Sequence, residues 1–156
     1  MELLFKSIVT GLLILFPAVL MAQLTEHRTD GEKWRVYGQV KRMGLTKASL
    51  QYRAHAADST FILLLEDDRK ELKSFFSIRF NSRGNTLHGL YGILISFFEK
   101  ENWSNKEYIK VFTLGETKVT VYKITDLDPQ KTIMLSADKG RARLSKNEIN
   151  QLFHRL

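Results

Sequence analysis

The chain contains no cysteine, and only two of its 156 residues are proline. Without a thiol there can be no disulfide framework, thiolate metal site, iron–sulfur cluster or cysteine nucleophile. Phosphate loops, dinucleotide fingerprints, a Gly-x-Ser-x-Gly elbow and a His-Glu-x-x-His pair are also missing. Charges of one sign never run to five in a row, so no polyanion-binding tail is marked and no specific nucleic-acid site is expected. After residue 22, no stretch approaches the ~20 apolar residues that a membrane span needs. No cofactor and no metal site are expected from these absences.

What is present suits one packed domain. Hydrophobic residues make up 44% and aromatics 11%, enough for a core and too much for wholesale disorder. The length admits one domain and leaves little room for two.

The N-terminus has the pattern of an address. Lys6 precedes an apolar run over residues 8–20, broken by Thr10, Gly11 and Pro17, and Ala22 offers a small residue before Gln23. Leu20 fits the −3 position poorly, and a retained anchor is the competing reading, but the run is short for a span. The expectation is a signal peptide over 1–22, a polar lead-in over 23–33 and a single domain over 34–156. Export to the periplasm or beyond follows, with no transmembrane span after cleavage, and the missing cysteine excludes a lipoprotein. The ending Ala-Val-Leu-Met-Ala-Gln before a small, basic, cysteine-free chain resembles exported proteins of Gram-negative bacteria. That resemblance covers the leader and the composition alone.

The formal net charge is +7. It is unevenly spread: residues 23–60 and 129–156 carry the excess, and 61–128 balances. A basic exported protein is drawn to anionic surfaces by a salt-sensitive field. The expected partners are therefore an envelope protein, a glycan or an anionic surface, with oligomeric state left open.

Period-two alternation dominates the middle of the chain. Trp34, Val36 and Val40 share a face. Ala48, Leu50, Tyr52, Ala54 and Ala56 alternate with Ser49, Gln51, Arg53 and His55. The consecutive apolar residues 61–65 suggest a central strand covered on both faces. Phe76, Ile78 and Phe80 alternate with Ser77 and Arg79. Further strands are expected at 108–114, 118–124 and 132–137, the last extended or bulged by 141–144.

Residues 86–101 separate differently. At about 100° per residue, His88, Gly89, Gly92, Ser96, Glu99 and Lys100 fall in one arc, and the large apolar residues fill the rest. An amphipathic helix is expected there, with Asn85 or Thr86 as its cap. Ser145 and Glu148 spell a capping box for a second helix over 145–156, with Ile149, Leu152, Phe153 and Leu156 as its stripe. The expected class is α+β: a mainly antiparallel sheet of about seven strands carrying two helices. An up-and-down barrel with a C-terminal helix is the alternative. Residues 61–91 and 119–153 share a faint strand, acidic turn, strand, basic-Gly, helix order, which suggests a weak duplication.

Chemistry is sparse. Glu66, Asp67 and Asp68 end the most hydrophobic strand, and neighbouring carboxylates there can serve acid–base work. Turn chemistry at the end of a greasy strand is the plainer reading. Asp126 and Asp128 start like a calcium loop but lack its Gly and distal Glu. His27, His55, His88 and His154 are far apart and read as solvent-facing. Among the aromatics, Tyr52 beside Arg53, and Trp103 in a polar loop, are the binding candidates. Trp103 is expected to be the most exposed of them.

Three functions remain open. The first is a non-catalytic binding or interaction module of the cell envelope. The second is a small envelope hydrolase that pairs an acidic residue with a histidine. The third is a lipid-binding cup closed by helix 86–101.

Overall fold

In a computed structural model of the chain, the described residues are 33–55, 58–69, 72–125 and 130–155. The expected leader, His27, nearly all of the lead-in and the 126–129 turn lie outside them, as does the side chain of His55.

Among the described residues, eight strands form two antiparallel meanders of four. The first sheet holds β1 (Arg35–Arg42), β2 (Leu45–His55), β3 (Asp58–Glu66) and β4 (Phe75–Asn81) in chain order. Helices α1 (Thr86–Ser96) and α2 (Lys100–Ser104) follow. The second sheet holds β5 (Ile109–Leu114), β6 (Thr117–Ile124), β7 (Thr132–Ala137) and β8 (Gly140–Ser145), and α3 (Lys146–Leu152) comes after it. Four strands and then helix thus occur twice. In that order β3 corresponds to β7, whereas the faint sequence echo set it beside β6.

The α+β class holds, with two corrections. One sheet of about seven strands becomes two of four, and residues 141–144 belong to a separate strand reached by the Asp138-Lys139 turn. The barrel alternative fails: among the described residues no ladder joins β1 to β4, β5 to β8, or one sheet to the other, so neither sheet closes.

Alternation builds the core. Val40, Ala48, Leu65 and Phe76 form one inward row of the first sheet. Leu50, Leu63 and Ile78 form the next. Val119, Val121, Ile133, Leu135, Ala142 and Leu144 face inward from the second sheet, and both sheets share one cluster with Leu90, Leu94, Phe97, Ile149 and Leu152. β3 is internal, as expected, but only one of its faces is covered. Leu63 and Leu65 are buried, while Ile62 and Leu64 are half-buried on the outer face. A slip in the β1–β2 register between Val36 and Gly38 takes Tyr37 out of the ladder and sets its ring edge-on to Tyr52 and Phe61.

Residues 86–101 do coil, but in two pieces. Leu90 and Leu94 are the buried side of α1, and His88, Gly89 and Gly92 face solvent. Asn85 holds the N-cap position without a side-chain bond, and the Thr86 hydroxyl donates to the Arg83 carbonyl at 2.8 Å. Packing therefore holds this helix more than capping does. The break has a visible cause: the Asn102 amide donates to the Ser96 carbonyl at 2.8 Å, taking an acceptor the next turn would use, and Glu99 is extended. α3 carries its full capping box, with the Ser145 N–H donating to Glu148 at 2.8 Å and the Glu148 N–H donating to the Ser145 hydroxyl at 3.4 Å. It ends at Leu152, earlier than expected. Phe153 packs in the core, and His154 turns back in the left-handed region, φ 52°.

No helix among the described residues is long and apolar enough to cross a membrane.

Candidate functional site

Inward Phe76, Ile78 and Phe80 leave Ser77, Arg79 and Asn81 on the outer face of β4, all exposed. β4 is the last strand of its sheet, and this row forms one wall of a cleft of about 610 Å³. The β5–β6 turn (Gly115, Glu116, Thr117) and the β7–β8 turn (Asp138, Lys139) form the opposite wall. Gly115, φ 63°, lies directly against the Arg79 carbonyl, so any Cβ there would collide with the β4 backbone. That contact docks the second sheet onto the edge of the first. A second cleft of about 430 Å³ shares Glu116, Thr117 and Asp138 and continues over β6 and β7.

The charges lining the main cleft are mixed. Arg79 and Lys139 oppose Glu116 and Asp138, and Ser77, Thr117 and Asn81 add neutral donors and acceptors. The Asn81 side-chain oxygen is held by the Thr60 hydroxyl at 3.1 Å, which fixes the rotamer and leaves the amide N–H₂ to point elsewhere. Such a lining suits a ligand rich in amides and hydroxyls. No group of three or more His, Asp or Glu able to hold a metal ion occurs among the described residues.

The acidic trio sits elsewhere and is divided among separate tasks. Asp67 is buried, its side chain 3% exposed. Arg69 Nε donates to its Oδ1 and Arg69 Nη2 to its Oδ2, both at 3.0 Å. The backbone N–H groups of Arg69 and Arg141 add bonds at 3.2 Å each. The Arg69 bonds hold the Asp67 carboxyl far below the usual aspartate range, against the opposing push of burial, and the same pair raises the Arg69 guanidinium. Arg69 Nη2 also donates to the Lys139 carbonyl at 2.6 Å, and the Asp68 N–H to the Arg141 carbonyl at 2.8 Å. The turn therefore stitches the first sheet to β8. Glu66 lies 3.8 Å from Lys73, and Asp68 3.7 Å from Arg143. A carboxylate so firmly held in its charged form is a poor proton donor near neutral pH.

Tyr52 and Arg53 are neighbours on β2 and point to opposite faces. Tyr52 stacks on Phe61 with ring centroids 5.9 Å apart, and the Arg53 guanidinium lies 5.3 Å from the Trp34 ring. Trp103 belongs to α2 and is half-buried, contrary to the expected exposure. It stacks on Phe98 at 5.9 Å, with Lys131 Nζ 5.1 Å from its ring. These three residues form no common site. His88 is exposed on α1, while the His154 Nε2–H donates to the Tyr37 carbonyl and the ring lies edge-on to the Tyr37 ring at 5.4 Å.

One buried charge escaped the sequence reading. Lys123, 8% exposed, occupies an inward position after Val119 and Val121. Its ammonium donates to the carbonyls of Asn102 and Trp103 at 3.0 Å each and to that of Asn105, which ties the end of α2 to β6. Burial lowers its pKa. A lysine continuing an inward apolar row was the signal that could have revealed it. Comparisons with protein-family models, with curated proteins and with solved structures give no match to this chain.

Proposed function

We propose that the protein is a non-catalytic binding module of the cell envelope, and that it takes a polar peptide segment in the cleft along β4. The observation that carries this is the cleft itself, about 610 Å³, walled by the exposed row of a terminal strand and by two charged turns. An extended peptide lying in this cleft would meet the outward side chains of β4 and of the two turns, and these would choose its sequence. Arg79 and Lys139 favour carboxylate groups of the peptide, and Glu116 and Asp138 favour its basic ones. The apolar N-terminal run supports an exported setting.

The hydrolase reading has less support, because Asp67 is committed to Arg69 and the acidic turn neighbours no described histidine bond partner. The lipid-cup reading has less support as well. Leu90, Leu94 and Phe97 fill the space under α1, and the large cleft is walled mainly by polar groups.

The test is a backbone-amide NMR titration of the purified protein with a panel of unstructured peptides and soluble glycan fragments. The proposal expects shifts at residues 77–81, 115–117 and 138–139 with peptides that stay intact. Shifts only with glycans would replace the ligand class. Cleavage of the peptides would replace binding with catalysis.

A further inference from the structure

Seven large apolar side chains are exposed among the described residues, and four of them, Met43, Leu45, Leu72 and Phe75, lie at one end of the first sheet. The meander puts them there. The β1–β2 turn and the β3–β4 connection leave from the same end, and the β2–β3 ladder sets the two hairpins side by side. Met43 is 96% exposed and Leu72 84%. Met43 also has φ 51°, ahead of Gly44 at 78°, in a two-residue turn that Asn and Gly fill with less strain. A bare methionine in the left-handed region serves neither the core nor the turn.

The charge around these tips is also specific. Among the described residues of β3 and its connection to β4, the acids are engaged: Asp67 by Arg69, Glu66 by Lys73 and Asp68 by Arg143. Lys41 and Arg42 beside Met43 are exposed and have no carboxylate in ion-pair range among the described residues. Apolar tips flanked by the unpaired cations Lys41 and Arg42 match the interfacial layer of a bilayer rich in anionic lipid: the side chains enter among the headgroups, and the cations meet the phosphates. An acidic protein would satisfy Lys41 and Arg42 but leaves the separate, fully bare Leu72 without a reason.

We propose that this end of the first sheet is a membrane-interface surface that lays Met43, Leu45, Leu72 and Phe75 into the headgroup region of an anionic bilayer. The proposal uses none of the cleft residues and stands apart from the peptide reading.

The natural lack of cysteine makes the test site-specific. Met43→Cys, Leu72→Cys and Val111→Cys, each in the full chain and each carrying an environment-sensitive dye, are mixed with vesicles of phosphatidylcholine alone or with added phosphatidylglycerol. The dye at 43 and at 72 is expected to brighten with the anionic vesicles, and to do so less with neutral ones or at ~1 M salt, where the Debye length is ~3 Å. The dye at 111, on the second sheet, stays unchanged. Met43→Ser with Leu72→Ser lowers that partitioning by roughly tenfold per side chain, with an unaltered circular dichroism spectrum. Dark labels at 43 and 72 on vesicle-bound protein would overturn the proposal, since binding would then run through the apolar residues 8–20. Equal brightening at 111 would overturn it too, as would brightening that tracks protein concentration without vesicles, which assigns this end to a second copy.

Discussion

Asp67 and Arg69, two residues apart, meet through two parallel N–H···O bonds of 3.0 Å at the point where the first sheet touches β8. A carboxylate held this way stabilises the fold only while it is charged. Its native pKa is depressed, so the contribution is complete above the unfolded value near ~3.9 and is lost as pH falls below it. Asp67→Asn should lower the denaturation midpoint at pH 7, and the gap from the parent protein should close as pH drops below ~4. Urea titrations at neutral and acid pH measure this. Asp68→Asn, at a half-exposed pair 3.7 Å apart, should change little.

Lys123 gives a second, local prediction. Lys123→Met keeps the length and removes the charge, leaving the carbonyls of Asn102, Trp103 and Asn105 without their donor. A loss of about 2 kcal/mol is expected. It should be concentrated at α2, where amide exchange of residues 103–105 rises more than that of β3. Uniform loosening of both sheets would contradict the role given to Lys123.

The α1 helix separates two substitutions only six residues apart. Leu94 is 1% exposed, so Leu94→Asp places a charge in the core and should unfold the domain, while Leu94→Ala should cost about 2–5 kcal/mol. His88→Ala faces solvent and should stay within about 0.5 kcal/mol. Thermal melts followed by circular dichroism decide it.

Gly38 lies where α3 crosses β1, and a Cβ there would run into the Leu152 carbonyl, a backbone group with no rotamer to escape into. Gly38→Ala should cost at least about 1–3 kcal/mol. Ser145→Ala should cost about 1 kcal/mol through the lost cap. The two effects measured in one melt series show how firmly α3 is seated.

Much of the local structure was legible because it depends on neighbours in sequence. Phe76, Ile78 and Phe80 against Ser77 and Arg79 read as a strand, and Ser145 with Glu148 as a helix start, and both hold. β8 was harder: Arg141, Ala142, Arg143 and Leu144 alternate, but Ala142 is small and the stretch is short. The division into two sheets could not be read, since it depends on which strands leave an edge unpaired, a non-local outcome. The cleft was hidden for the same reason. Its three parts were each recognisable as a strand face or a turn, and non-local contacts, Gly115 on Arg79 and Arg69 on the Lys139 carbonyl, bring them together. Trp103 misled because a polar loop in sequence turned out to be a helix pressed on Phe98.

The most direct measurement of the central claim is the affinity of a titrating peptide, by calorimetry, for the parent protein and for Arg79→Ala, Lys139→Ala and Trp103→Ala. Binding along β4 predicts that the first two weaken it at least tenfold, about 1.4 kcal/mol each, and that the third leaves it unchanged. Undiminished affinity in Arg79→Ala and Lys139→Ala, with loss in Trp103→Ala, would contradict the account.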